Sequence, residues 1–189
     1  NISNNSLYNN GTPATAQTAI SFIPGASSNG NTISGNIIGG QSANAGGTEW
    51  LNSGAFAFKG IEVSSGTGTG TSVQGNTIRN IRMSSTSTSS FTGISVTGGV
   101  ATIGSVTGNN IGNTSSTGSI TLNGTSASVG IAYTASSGAV ISNNNVRYFT
   151  ITSSGAFTGI NNAGSGGASL NGNTVSNLTV SGTSAIVGI

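Results

Sequence analysis

Residues 93–111 read GISVTGGVATIGSVTGNNI, and three short apolar marks stand in them: Gly93-Ile94, Ile103, and Gly108-Asn109-Asn110-Ile111. Working outward, the last mark returns as Gly30-Asn31-Thr32-Ile33, Gly75-Asn76-Thr77-Ile78 and Gly172-Asn173-Thr174-Val175. Asn143-Asn144-Asn145-Val146 is a variant, and Asn1-Ile2 reads as the tail of another copy. The first mark returns as Gly60-Ile61, Gly130-Ile131, Gly159-Ile160 and Gly188-Ile189, with Ala19-Ile20 ahead of them. The middle mark returns as Val73, Val140 or Ile141, and Leu170, with Ile23 as a weaker match in the first copy. The order of the three never changes, and no 3.6-residue periodicity accompanies them. An internal repeat of this kind predicts a solenoid with three short strands per coil. The expected fold is all-β: a right-handed, three-sided parallel β-helix of about six coils, spanning 1–189 as one segment.

The composition fits that architecture better than it fits disorder. Only 3% of the 189 residues are charged, and Gly contributes 32 of them. Disordered chains lack the apolar surface needed to offset chain entropy, and they usually carry Pro, Lys and Glu. Here 33% of residues are hydrophobic, many of them Val or Ile, and there are two Pro. β-branched residues suit strands half buried in a thin core. Phe58, Phe91 and Phe157 each stand two residues before the Gly of a Gly-Ile pair. Residues three apart face opposite sides of a straight strand, so both point inward only where the chain bends at that Gly. Ser128 interrupts the aromatic series, and Val129 or Tyr133 is expected to fill the core beside it.

The in-register Asn31, Asn76, Asn109, Asn144 and Asn173 are expected to form an asparagine ladder. Each amide can bond the coils above and below, and Asn tolerates the left-handed backbone of a tight corner. Asparagine stacks at a corner, beside inward aliphatic stacks, resemble the pectate-lyase-like right-handed parallel β-helix. The loose Ser-, Thr- and Gly-rich repeats are similar to secreted β-strand-repeat proteins of bacterial surfaces. That resemblance implies a fold and an extracellular or cell-surface location.

Many members of such a superfamily act on polysaccharides, so the means for catalysis need counting. The acidic residues are Glu49 and Glu62 alone, and Asp, His and Cys are absent. Glycoside hydrolysis usually takes a pair of carboxylates flanking the scissile bond, and Ca²⁺ sites take several clustered oxygen ligands. Nucleophilic triads need a general base, and zinc needs Cys, His or carboxylates. The composition therefore argues against an enzyme: no catalytic residue, cofactor or metal site is expected. The net charge of +2 comes from scattered basic residues with no basic run, so nucleic acid is not an expected partner. No stretch is long and apolar enough for a membrane span.

The interval from Ile33 to Ile78 is the longest between copies, which places an insertion over 39–58. It holds the only tryptophan, Trp50. Trp50 either projects to contact a sugar or another protomer, as tryptophan often does at interfaces, or folds back against an open sheet face. Six Asn-x-Ser/Thr triplets, at Asn1, Asn4, Asn10, Asn113, Asn123 and Asn177, are candidate glycosylation sites with weak signal in so Asn- and Ser-rich a chain. An ice-binding surface would need Thr-x-Thr in register. Thr67, Thr69 and Thr71 lie in one coil and Thr150 and Thr152 in another, in a different part of the repeat.

The sequence opens inside an Asn element and closes on Ile186-Val187-Gly188-Ile189, so a processed or partial chain is expected. β-Helix ends expose strand edges that favour pairing. Ile2, Ile186 and Ile189 are the expected assembly edges, and the expected partner is the chain itself, as a head-to-tail oligomer or as its own continuation. The expected function is a structural protomer of an extracellular fibre, with glycans attached. The alternatives are a surface adhesin or glycan-binding stalk and an ice binder.

Overall fold

The computed structural model describes residues 1–115 and 120–189. It is an all-β parallel solenoid of about six turns. The first sheet stacks Ile2–Ser3, Thr32–Ser34, Thr71–Gln74, Ala101–Ile103, Ala139–Ser142 and Ala168–Asn171 in chain order. The third sheet does the same with Gln17–Phe22, Ala57–Ser64, Ser90–Gly98, Ser128–Tyr133, Phe157–Asn162 and Ile186–Val187. The second sheet has two columns. One holds Ser6–Leu7, Ile37–Ile38, Thr77–Ile78 and Asn110–Ile111; the other holds Trp50–Asn52, Ile81–Met83 and Ile120–Leu122. The longer strands Asn145–Ile151 and Thr174–Val180 run through both columns. The chain bends between the columns on left-handed residues, Asn80, Tyr148 and Asn177, with φ of 56°, 58° and 53°.

Each apolar mark of the sequence becomes a vertical stack. Ile2, Ile33, Val73, Ile103, Ile141 and Leu170 are paired in register in the first sheet. Leu7, Ile38, Ile78, Ile111, Val146 and Val175 form the second stack. Ile20, Ile61, Ile94, Ile131 and Ile160 form the third. Members inside the pile are sealed from solvent. Burying an aliphatic side chain of this size contributes about 1.5–3 kcal/mol.

This register corrects the reading of the first coil. Ile33 pairs with Val73, so Gly30-Asn31-Thr32-Ile33 belongs to the first sheet and not to the Asn element. The Asn element of that coil is Gly35-Asn36-Ile37-Ile38, whose Ile38 pairs with Ile78. The opening copy shifts likewise: Ile2 lies in the first sheet, and Asn5 with Leu7 supplies the Asn element. Ile23, the weaker match for the middle mark, is 60% exposed.

The insertion is also shorter than 39–58. Residues 39–49 form a loop with a short 3₁₀ turn at Ala43–Ala45, tied down by Asn80 Nδ2, which donates to the carbonyls of Ala45, Gly47 and Thr48. Trp50–Asn52 and Ala57–Ser64 are already strands of the pile. Trp50 is 6% exposed, inside the core, with its ring 5.3 Å from Phe58 and edge-on to it. It begins a tower that continues through Phe58–Phe91 at 5.8 Å, Phe91–Phe149 at 5.8 Å and Phe149–Phe157 at 4.6 Å. Phe149 therefore fills the space left by Ser128. Val129 stands between Thr92 and Thr158 at a half-buried position of the strand. Ser128 Oγ accepts the Phe91 N–H at 2.9 Å.

Candidate functional site

The corner between the first and second sheets carries the feature that repeats most closely. The residue before five of the six ladder asparagines turns the chain: Asn4, Gly35, Gly75, Asn143 and Gly172 all have φ between 58° and 64°, and only Gly108, before Asn109, is not left-handed. Glycine and asparagine are the residues that take this conformation at least cost. The left-handed residue is thus the neighbour of the ladder asparagine, not the ladder asparagine itself.

Behind that turn, six carboxamides line up: Asn5, Asn36, Asn76, Asn109, Asn144 and Asn173. The Oδ1 of Asn76 accepts two bonds from Asn36, from Nδ2 at 2.9 Å and from the backbone N–H at 3.0 Å. Asn109 receives the same pair from Asn76, and Asn144 from Asn109. Asn5 gives the pair to Asn36, and Asn144 gives it to Asn173. From Asn36 onward, the second Nδ2 proton of each points back to a first-sheet carbonyl: Ile2, Ile33, Val73, Ile103 and Ile141, at 2.7–2.9 Å. Asn36, Asn76, Asn109 and Asn144 are fully buried. Two donors and a doubly used acceptor at this reach are what a carboxamide offers.

Asn31 is no part of this ladder. Its Nδ2 donates to Ser28 Oγ at 2.9 Å, because its backbone belongs to the first-sheet edge. Asn36 takes its place, and the spacing from Asn36 to Asn76 of 40 residues is the longest in a series otherwise of 29–35.

The ladder is directional. Every bond between rungs runs from the amide of one coil to the Oδ1 of the next coil in sequence. Among the described residues no donor reaches Asn5 Oδ1 and no acceptor meets the Asn173 backbone N–H. One end of the pile offers an acceptor and the other offers donors.

The apolar stacks are open at the same two ends. At the first, Ile2, Leu7, Ala19 and Ile20 line an open groove of ≈ 480 Å³. At the last, Ile186, Val187 and Ile189 are exposed by 39–62%. Ile186 pairs with Phe157 on one side only, and the Gly188 carbonyl accepts the Ile160 N–H at 2.9 Å.

The charged side chains are spread over the outside of the pile. Lys59 pairs with Glu62 on the third sheet, and Arg82 lies 3.8 Å from Glu49 on the second. Arg79 donates to Asn113 Oδ1 and to the Asn44 carbonyl, both at 3.2 Å, and so fastens the 39–49 loop. Among the described residues no three of His, Cys, Asp or Glu come together. No helix is long and apolar enough to cross a membrane. Of the glycosylation triplets, Asn1, Asn4, Asn10 and Asn177 are exposed and Asn123 is half-buried. Asn113 is 5% exposed and its amide is engaged by Arg79, Thr114 and Ser115 in the folded chain. Thr121, Thr150 and Thr179 do stand in one outward column, a short threonine row, which Arg82 and Leu51 continue on the earlier coils.

The chain matches no protein-family model, no curated protein and no solved structure.

Proposed function

We propose that this chain is a structural segment of an extracellular or cell-surface fibre, a rod that lengthens by adding coils at its ends. It is read as a pectate-lyase-like right-handed β-helix of the secreted β-strand-repeat kind, with its own chain as partner, glycans on its Asn- and Ser-rich faces, and no catalytic role. One observation carries the reading: every coil meets the next through the same cross-section, three aliphatic stacks beside an asparagine rung, so that the pile lengthens by repetition. Ile2, Leu7 and Ile20 at one end, and Leu170, Val175 and Ile189 at the other, belong to the same three stacks. A further coil, from the same polypeptide or from a second copy, meets that surface as each coil meets its neighbour. It covers the apolar ends and pairs the open strand edges.

The sides of the rod support the same reading. They present Ser, Thr and Asn with few charges, and the two carboxylates each face a cation. The stalk or adhesin alternative loses its chief contact residue, since Trp50 is enclosed, and an ice-binding face would have to work with a row of three threonines.

The test compares wild-type chain with Ile186→Lys by sedimentation velocity over a concentration series. Ile186 sits at the open end, so a lysine there puts a charge into the contact. The wild type is expected to form long assemblies and the variant to form few, with circular dichroism unchanged. Equal assembly of the two, or a wild type that stays monomeric throughout, would remove the proposal.

A further inference from the structure

We propose that Arg79 and Arg147 hold a tetrahedral oxyanion, sulfate or phosphate, over Gly112 on the outer face of the second sheet. The site is separate from the assembly reading, since all three residues lie on internal coils of the pile. The side chains carry four cations and two carboxylates. Glu62 faces Lys59 and Glu49 faces Arg82, so the net charge of +2 rests on Arg79 and Arg147. Those two stand in one column. Arg79 follows Ile78, Gly112 follows Ile111 and Arg147 follows Val146, and the three aliphatic residues are consecutive members of one stack. The aliphatic residues are sealed in the core, so the residues after them face outward. Two rungs set the arginine backbones about 10 Å apart.

Gly112 keeps the space between them open. Its φ is 93°, and a Cβ there would come 1.7 Å from the Arg147 carbonyl oxygen, so a side chain would collide with backbone. The result is a groove of ≈ 180 Å³ lined by Thr77, Arg79, Asn110, Gly112, Asn113 and Thr114. Its amide acceptors are already used. Asn110 Oδ1 takes a bond from Asn145 Nδ2 at 3.1 Å, and Asn113 Oδ1 takes bonds from Arg79 Nη1 and the Thr114 N–H. Donors remain. Asn110 keeps its Nδ2, and Arg79 spends two of the five N–H groups of a guanidinium. Among the described residues the Arg147 side chain has no hydrogen-bond partner and no ion pair. The Nε of each arginine is shielded from solvent and meets no acceptor. Unpaired cationic donors at a shielded site are costly, and a bound anion offsets that cost. A planar carboxylate is satisfied by one arginine fork, whereas donors from two arginines and an amide suit the several oxygens of a tetrahedral group. Arg147 breaks no existing contact in swinging over Gly112.

The chain has three arginines, so its arginine side-chain Nε–H groups give three NMR signals, and Arg82, beside Glu49, is the internal control. The experiment titrates isotope-labelled chain with sodium sulfate, and with sodium acetate at equal ionic strength, at mildly acidic pH. Arg79→Lys and Arg147→Lys assign the signals. Sulfate is expected to shift the Arg79 and Arg147 signals along saturable curves and to leave Arg82 unmoved. Arg147→Gln is expected to weaken the binding read at Arg79 about tenfold, the loss of one charge-assisted bond, with circular dichroism unchanged. Galactose 6-sulfate is titrated in parallel to identify the source of the anion. Tighter binding than free sulfate assigns the site to an ester on a larger molecule, and weaker binding assigns it to the free ion; both uphold the site. Equal shifts of all three signals, or a response to acetate as strong as to sulfate, overturns it. So does a folded Arg147→Gln variant that binds sulfate undiminished.

Discussion

Gly93 faces Ile111 across the core: a methyl group placed on Gly93 would come within 2.8 Å of the Ile111 Cγ2 and 2.5 Å of the Gly130 carbonyl oxygen. The same holds for Gly60 with Ile78, Gly130 with Val146 and Gly159 with Val175. The two sequence marks that define the repeat are thus halves of one contact. The glycine of the Gly-Ile pair is the seat of the aliphatic residue of the Asn element, across a core too thin for a Cβ between them. The paired register of the third sheet skips this glycine, which lets both Phe91 and Ile94 point inward.

Gly93→Ala should therefore cost about 1–3 kcal/mol, the usual effect of overpacking a tight core. Gly138→Ala, where the nearest atom to an added Cβ is 3.7 Å away, should be close to neutral. Urea melts of the two variants check this, and equal midpoints would deny the close approach.

Asn109→Asp should destabilise the chain by about 3 kcal/mol or more near pH 7. The carboxylate cannot donate to Asn144 Oδ1 or to the Val73 carbonyl, and it places a charge in a sealed site. The same change at the exposed Asn10 should shift stability by no more than about 0.5 kcal/mol. Thermal melts of the pair decide it. A smaller loss at Asn109 than at Asn10 would contradict a satisfied ladder.

Alkaline stability should depend on Tyr133. Its hydroxyl donates into a group of carbonyls, those of Gly99 at 3.2 Å, Gly138 at 3.1 Å and Ser137, and burial pushes the phenol above its ordinary 10.0. The folded pKa is the higher one, so this contribution is complete below about pH 10 and is lost as pH rises through the raised value. Melting temperature should therefore fall more steeply above pH 10 in wild type than in Tyr133→Phe. Parallel curves would remove Tyr133 from the alkaline transition.

Much of the fold could be read from the sequence because its three marks are one physical contact repeated coil after coil. The Ile94, Ile131 and Ile160 stack and the Asn76, Asn109, Asn144 and Asn173 rungs stand where their spacing put them. The first coil misled because two tetrapeptides, at Gly30 and Gly35, both fit the Asn pattern. Taking Gly30 left the middle mark of that coil to Ile23, which faces solvent. The signal that separates them is that Ile33 supplies the missing middle mark once Asn36 becomes the rung. Trp50 was harder to place, because its column in the second sheet is filled by Ile81, Ile120, Phe149 and Leu178, which share no motif. Phe149 was missed as the partner of Ser128 for the same reason. It reaches the gap from another sheet, and no spacing along the chain encodes that.

The most direct test of the account is diffraction from an aligned film of the wild-type chain, with electron micrographs of the same material. Coils stacked end to end predict filaments far longer than one chain, whose six coils span about 30 Å. They also predict a sharp reflection near 4.8 Å along the filament axis. Compact particles of single-chain size at every concentration, or filaments whose 4.8 Å spacing runs across the axis, would contradict it.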